Sequence, residues 1–226
     1  MISNNINKNP LLVFCHISKT GGTTMRMFLQ SEYRNSLFIN NSPDQRVLEK
    51  NIEHYDCIAG HFGYLFWDQK HKKSMIPSDV NRELKYITML RDPVDRMISL
   101  YYYTTRGRHK DTFEQFVDHP PPSYPFRHAN SQTLMLTGDG TTNIDLAKKN
   151  VKEKFLIVGI MELYNDSWRL MKENLGWKNN KYTLANKSNH PTRDDIPKHV
   201  LHKIKVYNEK DIQLYEYAKS LLLSKI

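Results

Sequence analysis

Short apolar runs alternate with amphipathic stretches along this chain, which predicts β-strands separated by α-helices. The runs with strand character are 11–17, 37–39, 57–59, 86–90 and 155–160. After the first run, Met25, Phe28 and Leu29 recur at i, i+3 and i+4, the spacing of an apolar helix face. Asp92 followed by Pro93 indicates a further helix start, with an N-cap residue and a proline at the first helical position.

The order of these elements favours an α/β fold with one parallel sheet covered by helices on both faces. Its strands are nearly continuous apolar runs, as expected where both faces of a sheet are buried. Ligands of such sheets collect at the carboxyl ends of the strands. The segments that follow the runs are therefore the first candidates for a site, and they are 18–24, 60–64, 91–99 and 159–162.

The length and composition suit one globular domain, which we place at residues 1–226. The longest apolar runs are too short to span a bilayer, and the N-terminus is polar, without the apolar stretch of a signal peptide. We therefore expect no membrane segment and a cytoplasmic location, unless the chain is the trimmed form of a secretory-pathway protein. Cys15 and Cys57 lie in apolar runs, and we expect buried, reduced thiols.

The formal net charge of +9 suggests an anionic partner, although a solvated lysine-rich surface explains it equally well. The basic residues are scattered, and no block of five consecutive residues is purely basic. A dedicated nucleic-acid-binding arm is therefore not expected.

The segment "SKTGGTT", residues 18–24, follows the first apolar run and has the composition of a phosphate-binding loop. Gly21 and Gly22 let backbone N–H groups approach a phosphate, and the following helix points its N-terminus at the same place. Lys19 adds a positive charge, but it precedes the glycines, whereas the lysine of a kinase-type loop follows them. A glycine-rich turn with a solvated lysine is the alternative. The hydroxyl donors of this loop are Thr20, Thr23 and Thr24.

A second segment, "YITMLRDPVDRMISLYYY" at 86–103, combines a strand, an arginine and a helix start. Arg91 follows the strand and Ser99 lies in the helix, so both can reach one anion. The guanidinium offers a forked donor pair that matches phosphate oxygens. Asp95 and Arg96 are expected at the surface or in helix pairing.

Together these two segments resemble the sulfotransferases that use PAPS (3′-phosphoadenosine 5′-phosphosulfate). "SKTGGTT" is similar to their 5′-phosphosulfate loop, and "RDPVDRMISLYYY" is similar to their motif R-D-P-x-x-R-x-x-S-x-Y-Y. The two-glycine form is nearer the membrane-type carbohydrate enzymes, such as the heparan sulfate 2-O type. Ser18 departs from the family, which has proline there. Further similar segments are "GHFGY", "NSQTLML", "VGIMELYNDS" and "NEKDIQLYEYA", so the resemblance covers nearly the whole chain.

The resemblance implies a three-layer, P-loop-kinase-like fold and transfer of a sulfuryl group from PAPS to a hydroxyl, with a glycan as the preferred acceptor. In this interpretation Lys19 lies along the oxygen that bridges phosphate and sulfate, where negative charge develops. No metal is required, since Lys19 and the loop amides supply the positive charge. The 3′-phosphate falls to Arg91 and Ser99. Weaker candidates come from the late segment "ANKSNHPTR", namely Lys187 and Ser188.

His61 is the candidate general base. It follows the strand "CIAG", and the resemblance assigns a histidine after this strand to that role. A structural histidine that caps the strand is the alternative, and Glu162 is the next candidate base. The roles of Asn130 and Gln132 stay open between ligand contact and ordinary helix positions.

Two other functions remain possible from the sequence. A small P-loop nucleotide kinase is disfavoured by the position of Lys19 and by the pair Arg91 and Ser99. A non-catalytic protein that binds nucleotide or sulfated glycan is favoured by the net charge. Loss of His61 distinguishes the sulfotransferase from the binding protein, because it would cripple an enzyme and leave the affinity of a binding protein intact.

Overall fold

The computed structural model describes residues 9–39, 52–66, 74, 80–105, 111–119, 129–183, 185 and 190–226. In this part of the chain the backbone forms a five-stranded sheet in the order β2-β3-β1-β4-β5, and every neighbouring pair is parallel. The α/β class and the parallel sheet predicted from the sequence are confirmed. The strands are β1 Leu11–Cys15, β2 Ser36–Ile39, β3 Cys57–Gly60, β4 Leu84–Leu90 and β5 Phe155–Ile160.

Helices flank the sheet and supply the connections that parallel strands require. Short 3₁₀ turns at Ile52–His54, Tyr64–Phe66, Met161–Leu163 and Arg193–Asp195 complete the described connections. The helices are α1 Gly22–Glu32, α2 Pro93–Thr105, α3 Phe113–Asp118, α4 Ser131–Thr137, α5 Ile144–Glu153, α6 Tyr164–Leu175, α7 Lys198–Tyr207 and α8 Glu209–Leu223. No helix within these residues is long and apolar enough to cross a membrane.

The core lies in the sheet, where every residue of β1 and β3 is buried, while the edge strand β2 is only half-buried. This burial explains why the central strands appear in the sequence as unbroken apolar runs. Cys15 and Cys57 are buried free thiols whose pKa is raised by burial, as expected from the sequence. They are inert in this environment, because the thiolate is the reactive form.

A second apolar cluster joins α2, α3 and α7 beside the main core. Phe116 and Val117 of α3 and Val200 and Ile204 of α7 pack with the apolar face of α2. At its edge the ammonium of Lys203 lies 2.8 Å from a carboxylate oxygen of Glu114, on α3. This cluster fixes α2, the helix that starts directly after Arg91.

Arg96 is completely buried, so of the two places expected for it the surface is wrong and helix pairing is confirmed. Its Nη2 donates to Ser131 Oγ at 2.6 Å, and the buried carboxylate of Asp211 attracts its charge. Arg96 therefore lies inside the contact of α2 with α4 and α8. Asp95 does pair between elements, because Arg193 Nε donates to its Oδ1 at 2.6 Å.

The sheet order places the three site-bearing segments beside one another. β3, β1 and β4 are consecutive strands, and their register pairs Cys15 with Gly60 on one side and with Thr88 on the other. Since the strands are parallel, their carboxyl ends meet at one edge. His61, the 18–24 loop and Arg91 therefore follow neighbouring strands at that edge.

Candidate active site

The loop between β1 and α1 makes a tight left-handed turn. Lys19 has φ 70° and Gly21 has φ 81°, both in the left-handed region. Between them, Thr20 is buried, and its hydroxyl donates to the carbonyl of Ile17 at 2.8 Å. The Thr20 hydroxyl proton is thus used within the turn. The backbone N–H of Thr20 is therefore the donor that this residue can offer to a ligand.

Both loop glycines are required by packing. A Cβ on Gly22 would lie 1.9 Å from the His16 ring, and a Cβ on Gly21 would lie 2.4 Å from Met161 Sδ. Real Cβ atoms do not approach other heavy atoms so closely, and Gly21 also has the positive φ that favours glycine. Any side chain here would lift the loop away from β1 and from the turn after β5.

The N-terminus of α1 is suited to an anion. Gly21 is its N-cap, its first turn has no acidic residue, and no side chain in the described chain caps it. The first backbone N–H groups of a helix have no intrahelical partner and carry the positive end of its dipole. Thr23 is half-buried at this end, while the buried Thr24 accepts from the backbone N–H of Ala185 at 3.0 Å.

Lys19 and Arg91 bring the two motifs into contact. Arg91 Nη1 donates to the carbonyl oxygen of Lys19 at 3.2 Å. The Lys19 ammonium lies over the ring of Tyr103, with Nζ 3.8 Å from the ring centroid. Tyr103 is 52% exposed, so this contact is on the solvent side of the loop. The arginine and the phosphate-type loop are therefore in direct contact.

Side chains from two other elements hold the backbone at Arg91. Its N–H donates to Gln132 Oε1 at 3.0 Å, and its carbonyl accepts from Gln132 Nε2 at 2.9 Å. The next N–H, of Asp92, donates to Glu162 Oε1 at 3.0 Å. Burial lowers the pKa of Arg91, and the carboxylates of Glu162, Asp95 and Asp92 act in the opposite direction. An arginine with these neighbours keeps its charge at neutral pH.

For the other candidate partners of the 3′-phosphate the structure gives fewer details. Ser99 is 2% exposed on α2. Lys187 and Ser188 lie outside the described residues, so their contact with the 3′-phosphate stays a prediction. After this segment, the ring of His190 stacks on Tyr102 with centroids 5.7 Å apart.

His61 is held in one orientation by His16. The Nδ1 of His61 lies 2.9 Å from the carbonyl oxygen of His16, and the two rings stack with centroids 4.1 Å apart. Because a carbonyl oxygen can only accept, Nδ1 carries the proton, and Nε2 carries the lone pair in the neutral ring. Burial, together with the charges of His61, Arg26 and Lys19, holds the pKa of His16 well below its usual range. His16 is therefore neutral near pH 7.

The two residues whose roles the sequence left open, and the alternative base Glu162, all hold backbone groups. Asn130 Oδ1 accepts from the N–H groups of Lys210 and Asp211 at 3.0 and 3.1 Å, and so caps the start of α8. Gln132 holds Arg91, as described above. Glu162 accepts at Oε1 from the Asp92 N–H, and at Oε2 from the Tyr215 hydroxyl at 3.0 Å. Both of its oxygens are thus engaged, which weakens it as an alternative base.

Sequence reasoning missed the supporting roles of His16 and Asp211 and left that of Gln132 open. A signal for Gln132 was present, since "SQTLMLT" puts polar residues at the start of its helix. Polar residues in such a helix need partners if they are buried, and here the partners are Arg91 and Asp211. The structure places no group of three or more possible metal ligands among His, Cys, Asp and Glu of the described residues.

A family model described as "Sulfotransferase family" matches residues 4–218, which is nearly the whole chain. The chain belongs to the sulfotransferase family. This confirms the resemblance drawn from the two loop motifs, and it favours a sulfotransferase over a nucleotide kinase.

The curated relatives of this sulfotransferase are distant. Heparan-sulfate 6-O-sulfotransferase 1-B of Danio rerio is 24% identical and is matched over 96% of this chain and 67% of its own length. Heparan-sulfate 6-O-sulfotransferase 1 of Gallus gallus is 22% identical, with 92% and 65% covered, and that of Homo sapiens is 23% identical, with 93% and 65% covered. The chain thus spans about two thirds of the length of these relatives. They carry 6-O in their names, whereas the motifs had suggested the 2-O type.

A solved structure supports the fold. The crystal structure of a sulfotransferase from Alicyclobacillus acidocaldarius superposes with a TM-score of 0.53 at 15% identity, over 95% of this chain and 96% of the other. The three-layer P-loop-kinase-like fold predicted from the sequence is confirmed by this likeness. At this identity the likeness concerns the fold alone.

Proposed function

We propose that residues 1–226 act as one sulfotransferase domain, which moves a sulfuryl group from PAPS to a hydroxyl of a carbohydrate. The observation that carries this proposal is the meeting of His61, Lys19 and Arg91 at the carboxyl ends of three adjacent strands. Arg91 reaches the Lys19 carbonyl at 3.2 Å, and His61 reaches the carbonyl of His16, in the segment that leads into the loop, at 2.9 Å. The proposed donor site and the proposed base thus lie side by side.

The loop residues fit the 5′-phosphosulfate end of PAPS. Gly21 and Gly22 leave no room for side chains, and the start of α1 presents N–H groups without an acidic residue nearby. These features suit a dense negative charge held by backbone amides. Thr20 contributes its backbone, and the hydroxyls of Thr23 and Thr24 border the same helix end.

Arg91 and Ser99 are the proposed partners of the 3′-phosphate. The guanidinium stays charged and offers paired donors, while the strand end fixes the place from which it projects. Lys187 and Ser188 remain proposed partners from the late segment. In this proposal both motifs bind the same nucleotide. The hydrogen bond from Arg91 to the Lys19 carbonyl, which joins the two motifs, supports this.

Lys19 and His61 would carry the chemistry. Lys19 neutralises the negative charge that develops on the bridging oxygen as its bond to sulfur breaks, and no metal ion is needed for that charge. Nε2 of His61 takes the proton of the acceptor hydroxyl as the new oxygen–sulfur bond forms. The proton ends on His61, and the electron pair of the broken bond stays with the nucleotide product, 3′-phosphoadenosine 5′-phosphate (PAP).

A heparan-sulfate-type glycan is the proposed acceptor class. The curated relatives carry heparan sulfate in their names, and the net charge of +9 suits a polyanionic chain. The test is incubation with PAPS labelled in its sulfur, together with separate glycan, phenol and peptide acceptors. Label on the glycan supports the proposal, and label on phenols alone overturns the acceptor class. PAP binding with no transfer to any acceptor would favour the non-catalytic binding protein.

A further inference from the structure

The backbone just beyond β4 is held by side chains and not by the sheet. The last paired residues of β4 and β5 are Leu90 and Ile160. Beyond this pair the polar groups of Arg91 have no strand opposite, yet both are bonded, because the Gln132 amide accepts from the N–H and donates to the carbonyl. The side-chain amide of Gln132 thus takes the place of a neighbouring strand for one residue beyond the end of β4. That residue is the proposed 3′-phosphate partner.

Gln132 is itself fixed by a buried network. Its side chain is completely buried, and its backbone N–H donates to Asp211 Oδ2 at 3.0 Å. The N–H and hydroxyl of Thr133 donate to Asp211 Oδ1 at 2.7 and 2.8 Å. In return, Asn130 caps α8, the helix that carries Asp211. The starts of α4 and α8 therefore hold each other, and Gln132 extends from this joint to Arg91.

We propose that Gln132 is the positioning residue that sets the preference of the site for 3′-phosphorylated nucleotides. This inference rests on the proposed function, in which Arg91 binds the 3′-phosphate. The two bonds hold the peptide units on either side of the Arg91 Cα, so they restrict the orientation of this backbone and the direction in which the Arg91 side chain leaves it. The guanidinium then lies against the loop, within 3.2 Å of the Lys19 carbonyl. Gln132 sets this geometry without touching the nucleotide.

The two bonds predict a selective effect of substitution. Gln132→Met keeps the length of the side chain but leaves the N–H and the carbonyl of Arg91 without their partner. The backbone on both sides of Arg91 then rotates toward other hydrogen-bond partners, and the guanidinium leaves its place. The loop then loses the bond from Arg91 to the Lys19 carbonyl, but the loop and the start of α1 keep the bond of Thr20 to Ile17 and the packing of Gly22 on His16. Binding of the 5′-phosphate should therefore be unaffected.

Asn150 offers a matched control. It is also a buried amide, and its Nδ2 donates to the carbonyls of Leu136 and Thr137 at 2.9 Å each. It thus holds the other end of α4 with the same number of bonds to backbone. Asn150→Leu should lower stability without altering the nucleotide preference, because the two bonds of Asn150 lie at the opposite end of α4 from Gln132 and neither involves Arg91.

The test is calorimetry with PAP and AMP, which differ only in the 3′-phosphate. In Gln132→Met the ratio of PAP to AMP affinity should fall by about tenfold, which is about 1.4 kcal/mol, with AMP affinity unchanged. Asn150→Leu should keep the wild-type ratio. In an Arg91→Ala background Gln132→Met should change the ratio no further, since both substitutions remove one interaction. Gln132→Asn, whose amide is too short to reach both groups, should behave like Gln132→Met.

The outcomes separate this inference from the proposed function. An unchanged ratio in folded Gln132→Met or Gln132→Asn overturns the positioning role. If both variants unfold while Asn150→Leu does not, Gln132 serves stability, and the inference is equally overturned. A wild-type ratio near one would overturn the assignment of Arg91 to the 3′-phosphate, and both the inference and that part of the proposed function would fall.

Discussion

Lys19 takes part in the site through two groups that do different work. Its carbonyl oxygen accepts a hydrogen bond from Arg91, and its ammonium lies over the Tyr103 ring, so the backbone joins the two motifs while the ammonium takes no part in that bond. The backbone contact persists in any substitution that keeps the turn. A change of side chain therefore tests the ammonium alone.

Lys19→Ala should lower kcat far more than it weakens PAP binding. The bridging oxygen gains its charge only in the transition state, and loss of one such stabilising group typically lowers kcat by about 10²–10³-fold. Lys19→Arg should be a poor rescue, because the planar guanidinium approaches the bridge differently. Steady-state kinetics and PAP calorimetry measure the two effects. A variant with near-native turnover and weak PAP binding would make Lys19 a binding residue only.

His61→Ala should lower kcat by about 10²–10⁴-fold, the usual contribution of a general base. PAP affinity should hardly change, because the proposed partners of the nucleotide are the loop, Arg91 and Ser99. In wild type the rate should fall on acidification, because a protonated ring cannot accept the proton of the acceptor. The pH–rate profile of His61→Asn, which keeps a polar group without a base, should lack this acidic limb. Retention of most activity in His61→Ala would end its assignment as the base.

His16 makes a separate prediction about stability. Its folded-state pKa is depressed, chiefly by burial, so between that value and about 6.5 the unfolded chain binds a proton there and the folded chain does not. Stability should therefore be lost as the pH falls below about 6.5. Urea unfolding at pH about 7.5 and about 5.5 should show a smaller loss in His16→Phe than in wild type. Equal losses would mean that His16 does not resist protonation in the fold.

Among single residues, the sequence predicted the place of those in short local motifs and left open the place of those that depend on distant partners. Lys19, Gly21, Gly22 and Arg91 stand in short motifs whose backbone context can be predicted from neighbouring residues. Arg96 stands in a motif too, but its burial depends on α4 and α8, which follow much later in the chain. Periodicity along one helix carries no information about a partner supplied by another.

At the scale of elements, α4 differs from the other helices because all seven of its residues, Ser131–Thr137, are buried. A helix buried on every side has no polar face to reveal its orientation. The strands were easier to predict, since burial on both faces makes them continuous apolar runs. Even so, their ends depend on pairing, and β4 begins at Leu84 because Leu84 pairs with Leu11.

Asp211→Ala should destabilise the protein by about 3 kcal/mol or more. The substitution leaves three buried donors, on Gln132 and Thr133, without their acceptor and removes the negative charge beside buried Arg96. Urea unfolding measures the change. The control is Asp139→Ala, where an exposed carboxylate accepts from the N–H and hydroxyl of Thr141, and where we expect less than about 1 kcal/mol. Similar losses in both variants would show that the α4–α8 joint is not a special source of stability.

At the scale of the whole molecule, the sheet order does what no single segment can. It brings His61, Lys19 and Arg91 to one edge, although His61 and Arg91 lie far from the loop in sequence. The alternation of strands and helices predicted that a common edge exists, and the motifs predicted which residues reach it. The contacts across that edge, such as Gln132 with Arg91, depend on side-chain packing that follows only from the folded chain.

This arrangement predicts that PAP stabilises the folded protein far more than ADP does at the same concentration. The 18–24 loop connects β1 to α1, and Arg91 connects β4 to α2. A ligand that binds the loop and Arg91 therefore stabilises the arrangement of these four elements. A charge-assisted phosphate contact contributes about 1.5–3 kcal/mol, so ADP, which lacks the 3′-phosphate, should bind roughly 10–150-fold more weakly. At 100 times its Kd, PAP should add about 2.7 kcal/mol to the free energy of unfolding, and each kcal/mol raises Tm by about 2–4 °C in a protein of this size. Thermal unfolding with each nucleotide measures the difference.

Arg91→Ala, which keeps the loop, should lower the PAP-induced shift in Tm to that of ADP. Equal shifts for PAP and ADP in wild type would leave Arg91 and Ser99 without a 3′-phosphate to bind.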